Sequence, residues 1–233
     1  MGIWNNLRAY EEKIRETIFE EHFEIVNLLG EAFDHYAFGL TKIPELDPEN
    51  VTFVRVGLIT ENHNFLRLSI YAATRGYYLQ SISLLRNVYQ NWLAFWYLIQ
   101  YPSDAHYWLD PSWEKRPPKT DTMRRKMEHP SRESSHKLHE LATQLHRFAH
   151  TDPVMILNQL REKDDHLYIH VGPKYKFEMF NACAYALSFW IGYMLDAVDS
   201  LISDETEWKE THFGIRIRIL KYIEKYNSQF EES

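Results

Sequence analysis

Twenty-five residues, Tyr77–Tyr101 (YYLQSISLLRNVYQNWLAFWYLIQY), constrain the fold more than any other stretch of the chain. The run has no Gly or Pro, and eight of its residues are aromatic. Leu79, Ile82, Leu85, Val88, Tyr89, Trp92, Leu93, Trp96 and Ile99 recur at spacings of 3 and 4, the period of a helix. Apolar side chains cover well over half its circumference, so other helices are expected around it. One polar row remains: Ser83, Arg86, Asn87, Gln90, Asn91 and Tyr97, at offsets of 3, 4, 7, 8 and 14. Buried groups of this kind are costly without partners, so the fold must answer the row.

Composition extends the helical reading to the whole chain. With 45% hydrophobic and 25% charged residues, 233 residues are enough for a sizeable soluble core. Aromatics at 15% predict a core rich in Trp, Tyr and Phe, and eight Gly with nine Pro favour long helices over many turns. The expected fold is all-α, with six or seven helices in one domain over residues 1–233. It comprises an acidic N-terminal helix over 3–38, a core over 48–203 and a C-terminal helix over 205–230.

Charge and cysteine usage narrow the partners and the compartment. The net charge of −7 is confined to residues 1–50, where 4 Lys+Arg face 11 Asp+Glu, and the other 183 residues carry 22 of each. A neutral body behind an acidic first helix has no general attraction for nucleic acid, so RNA is a partner the charge does not support. Cys183 is the only cysteine; with no apolar leader at the start, it suits a reducing cytoplasmic setting. Met179–Leu195 is 17 residues of nearly apolar sequence closed by Glu178 and Asp196. A span needs about 20 residues, so this reads as a buried helix and no membrane association is expected.

In the first helix, Ile14, Ile18, Ile25, Leu29, Phe33 and Tyr36 form the apolar stripe, with Glu11, Glu12, Glu16, Glu20 and Glu24 on the wet side. Pro44 and Pro48 mark a connection, and Pro48 is also tolerated in the first turn of a helix over 48–74. A short helix is expected over 103–109, and 110–130, with four prolines, reads as the most exposed connection. Further on, 131–150 reads as an amphipathic helix. His166–Val171 alternates like a short strand. A second strongly apolar helix covers 174–203. The last helix carries Trp208, His212, Ile215, Ile219, Tyr222 and Tyr226 at spacings of 4, 3, 4, 3 and 4.

Histidine is the residue type with most chemical content. His136, His139, His146 and His150 fall within an arc of roughly 80° on one helix face. His146 and His150, one turn apart, are candidate metal ligands. A zinc site needs a third and usually a fourth ligand, and a solvated His-rich face is the commoner arrangement, so no metal and no cofactor are assigned. HELAT at His139 begins like HExxH but lacks the second histidine, and a single ExxH at Glu133–His136 is half of what a di-iron bundle needs. No phosphate-binding glycine loop or GxSxG elbow is present. Cys183 sits among Ala, Tyr and Phe, a setting that favours an inert core thiol over a nucleophile.

AATRGYYLQSISLLRNVYQNWLAFWYLIQYPSDAHYWL (Ala72–Leu109) resembles a mostly bacterial, all-helical domain of unknown function. That family pairs a leucine-leucine-arginine, three further residues and a glutamate in a long apolar helix with a "yl..p..a..w" exit. Arg86 matches the arginine, and Gln90 stands where glutamate is usual, which removes a charge. LHRFAHTDP is similar to the family's helix-ending histidine segment, with His150 as the histidine, and GPKYKFEMF leads into a long apolar helix as expected. The resemblance covers about residues 55–202. Such domains are compared with HEPN domains, several of which are ribonucleases using an R-x(4–6)-H motif. Arg124–His129, Arg132–His139 and Arg161–His166 match that spacing, but 14 Arg and 12 His give about two matches by chance.

The pocket candidates are therefore Arg86, Gln90 and Asn91 facing His150 across the bundle. The competing use of Arg86 is to tie a neighbouring helix through buried hydrogen bonds. Function is expected to be that of a non-catalytic interaction module, with a protein partner or a homo-oligomer through the first or last helix. The alternatives are a HEPN-like ribonuclease of a defence or toxin–antitoxin system and a His-based metal-binding bundle.

Overall fold

The computed structural model describes residues 3–47, 50–110, 112, 116–127, 140, 143, 145, 160–163, 166–169, 172–202 and 206–231. The helices are α1 (Ile3–Glu21), α2 (Phe23–Thr41), α3 (Val51–Ala73), α4 (Tyr78–Gln100), α5 (His106–Leu109), α6 (Thr120–Lys126), α7 (Phe177–Asp199) and α8 (Thr206–Glu231). A 3-10 turn, Pro102–Ala105, separates α4 from α5. Strands β1 (Leu160–Lys163) and β2 (His166–Ile169) form one antiparallel hairpin, with Leu160 opposite Ile169 and Lys163 opposite His166. The fold is all-α, with this hairpin as an appendage.

The expected central helix is α4. Ile82, Leu85, Val88, Tyr89, Trp92 and Leu93 are buried as their spacing predicts, whereas Ile99 near its end is 44% exposed. Side-chain ties fix the directions of the neighbours. Ser69 donates to the Ser81 carbonyl at 2.8 Å, and Asn62 donates to the Val88 carbonyl at 3.0 Å, so α3 runs antiparallel to α4. The Tyr36 hydroxyl donates to the Ile59 carbonyl, which sets α2 antiparallel to α3. Trp92 packs edge-on against Trp190 at 5.9 Å, and Cys183 lies under Tyr78, so α7 runs parallel to α4. Helices α2, α4 and α7 thus point one way, and α3 and α8 the other. Met179–Leu195 lies within α7, whose Phe180, Leu187, Trp190, Ile191 and Met194 are all buried. Among the described residues no helix is long and apolar enough to cross a membrane.

Two glycines permit close joints. Gly76 has φ +80°, and a Cβ there would lie 2.5 Å from the Lys174 carbonyl oxygen, so the α3–α4 turn sits directly on the chain leading into α7. Gly39 lets α2 approach Trp208, whose ring would be 2.5 Å from an added Cβ.

Several expectations are corrected. The first helix is not continuous over 3–38: it kinks at His22, whose φ of −125° interrupts α1 and α2. The hydrogen-bond ladder still passes through, from His22 N–H to the Ile18 carbonyl at 2.9 Å and from Val26 N–H to the His22 carbonyl at 3.0 Å. Neither Pro nor Gly stands there, and at this point the His22 side chain is buried against Phe177 and Phe180. Helix α3 starts at Val51 with Asn50 as its cap, accepting from Thr52 N–H at 2.9 Å. The proline-rich connection contains α6, held by the Tyr101 hydroxyl on the Lys126 carbonyl at 2.9 Å and by buried Met123. The helix expected over 131–150 lies almost wholly outside the described residues.

Candidate functional site

Arg86, Gln90 and Asn91 lie on α4, spread over about 140° of its circumference, and all three are half-buried. The row is answered piece by piece. Ser83 donates to the Leu79 carbonyl at 2.7 Å, Asn91 donates to Glu61 at 3.1 Å, and the Tyr97 hydroxyl donates to Asp104. These are ties within and between neighbouring helices. His150, the residue expected to face Arg86, and the metal candidate His146 lie outside the described residues, as do His136 and His139. Among the described residues no group of three His, Cys, Asp or Glu side chains is placed to hold a metal. Cys183 is fully buried, and burial pushes its thiol up to about 12, which leaves it inert as expected.

One concave feature lies where α1 gives way to α2. There His22 is buried between Phe177 at 4.8 Å and Phe180 at 4.5 Å, at the start of α7. Its Nε2 is 3.1 Å from the Tyr175 hydroxyl, which donates to Glu21. Burial lowers the His22 pKa, against an opposing pull from Glu21, so the imidazole is held neutral at physiological pH. Burial raises the Tyr175 pKa, with the Glu21 hydrogen bond adding to it, so the phenol keeps its proton.

Beside this anchor opens a cleft of about 410 Å³. Glu20, Glu21, Phe23 and Glu24 come from the kink, Phe177 and Asn181 from α7, and Tyr222, Lys225 and Tyr226 from α8. The Tyr222 hydroxyl oxygen is buried with no hydrogen-bond partner among the described residues. Tyr226 is stacked on Tyr185 at 4.6 Å, which fixes its ring. Sequence reasoning placed Glu20 and Glu24 on the wet side of the first helix and Tyr222 and Tyr226 on the stripe of the last. It could not join them, because the break at His22 carries no Pro or Gly to mark it.

A second feature is the outer face of α8. Its inner stripe, Trp208, Ile215 and Ile219, is buried against α2 and α7. The narrow stripes that pointed to self-association are therefore used within the chain: Ile14, Ile18, Ile25 and Leu29 of the first helix are likewise buried. Away from that inner stripe α8 presents Phe213, 67% exposed, and Leu220, 46% exposed, with half-buried Ile217 between them.

No family model, curated protein or solved structure matches the chain. The comparisons therefore show neither the helical family suggested by residues 55–202 nor a HEPN relationship.

Proposed function

We propose that the protein is a non-catalytic helical interaction module that pairs with a second copy of itself along the outer face of α8. The observation that carries this reading is a self-complementary stripe. Phe213, Ile217 and Leu220 lie at offsets of 4 and 3, within about 60° of one helix face. Antiparallel pairing about a two-fold axis between residues 216 and 217 sets Phe213 against Leu220 and Lys209 against Glu224, each twice. An isologous contact needs such a patch, one that matches itself after rotation. At 26 residues α8 is about 39 Å long, so the stripe has room to seat a partner helix.

Sedimentation or light scattering tests it. The wild-type chain is expected at twice its 28.0 kDa monomer mass, and Phe213→Asp with Leu220→Asp is expected at 28.0 kDa with unchanged circular dichroism. The inner stripe holds α8 in place, so these substitutions leave the fold intact. A monomeric wild type at all concentrations, or an unchanged dimer in the double variant, overturns the reading.

A further inference from the structure

We propose that the cleft at the α1–α2 kink binds a small organic cation: an alkylammonium group on an aliphatic stem, as in a diamine or polyamine. The inference stands whether or not α8 pairs. A cleft of about 410 Å³ falls within the roughly 300–1,000 Å³ of small-molecule sites. Its charge selects the sign of the ligand, because Glu20, Glu21 and Glu24 line it with Lys225 as the one ammonium, and only Glu21 of the three is engaged, by the Tyr175 hydroxyl. An anion would meet like charge at close range.

The walls select the rest of the ligand. Phe23 is 62% exposed and Phe177 50% exposed, and both line the cleft beside Tyr226. Aromatic faces attract an ammonium through the ring quadrupole and cover its methylene stem, which carboxylates alone do not do. A hydrated metal ion has no use for such walls. The geometry is rigid, because Phe177 is packed on His22 and Tyr226 on Tyr185.

Calorimetric titration of the full chain at low salt is the test, with spermidine and putrescine as probes. A short lysine peptide serves as the second source of the same ammonium, and 1,4-butanediol as the uncharged isostere of putrescine. Saturable binding of an amine, with no binding of the diol, is expected. Glu20→Gln with Glu24→Gln is expected to weaken it about tenfold, and Lys225→Gln to strengthen it about threefold. Tighter binding by spermidine supports a free polyamine, and tighter binding by the peptide supports a lysine side chain. No saturable amine binding, or wild-type affinity in the Glu20/Glu24 variant, overturns the proposal. Phe177→Ala, with its fold checked by circular dichroism, gives an independent arm: the aromatic contribution predicts weaker binding, and unchanged affinity refutes it.

Discussion

The same three helices, α2, α7 and α8, meet twice, and they meet differently at each end. At one end the seam is closed. Trp208 stacks on His35 at 3.9 Å, donates to Asp199 at 2.8 Å and fills the space left by Gly39. Around it Arg216 reaches Asp196 at 2.9 Å, and Arg218 pairs with Glu31. At the other end His22 takes the place of His35 as the buried histidine of the seam, but its partners Phe177 and Phe180 come from α7 alone. Helix α8 contributes Tyr222, Lys225 and Tyr226 and leaves an opening between them. Both histidines are 7% exposed. Burial of an aromatic residue at a seam therefore does not decide whether the seam is sealed. What differs is where the third helix puts its rings: Trp208 stacks on the buried His35, whereas Tyr226 stacks on Tyr185 and not on His22.

That difference can be broken from either side. The largest effect is expected at the closed end, where Trp208→Ala should cost about 3–5 kcal/mol, against about 1 kcal/mol for Phe177→Ala, which is half-exposed at the open end. Urea unfolding of the two variants measures both, and equal losses would show that the two seams are energetically alike.

Gly39→Ala comes next. The added Cβ would lie 2.5 Å from the Trp208 ring and 2.6 Å from Val198. The ring is held by His35 and Asp199 and cannot yield, so overpacking should cost about 1–3 kcal/mol despite the better helix propensity of Ala. A thermal midpoint at or above wild type would mean that the closed end has slack.

A further difference lies in the pH response. Burial, with His212 adding to it, lowers the His35 pKa to about 4, whereas an unfolded histidine titrates near 6.5, so the unfolded chain binds the proton first. The contribution of neutral His35 is complete above about pH 6.5 and is lost as pH falls toward 4. His35→Phe should flatten the fall in stability over that window, and an unaltered slope would place the titration elsewhere. Glu31, whose pKa is held low by its hydrogen bond to Arg218, loses its pairing at lower pH and remains in the variant.

What the sequence revealed tracks the kind of force involved. Helices α4 and α7 were legible because apolar periodicity over 23 residues has one reading. The break at His22 was not, since neither Pro nor Gly marks it and the partners of the His22 ring, Tyr175 and Phe177, are more than 150 positions away. Asn62 was missed for a related reason. A mid-helix asparagine reads as solvent-facing, yet it is fully buried, donating to the Val88 carbonyl and reaching the Met194 sulfur at 3.2 Å. It holds α3, α4 and α7 at one point. The α4 row around Arg86, which the sequence made prominent, supplies side ties at the bundle edge. The cleft was illegible because each wall has an ordinary explanation on its own helix.

The solitary thiol of Cys183 has a consequence for watching this molecule move. It is the chain's only sulfhydryl, it lies under Tyr78 where α4 and α7 meet, and in the closed state it has neither solvent access nor thiolate character. A disulfide reagent can therefore reach it only when those two helices part. Its labelling rate is a clock for the parting of α7 from the helices packed on it, and it needs no engineered probe.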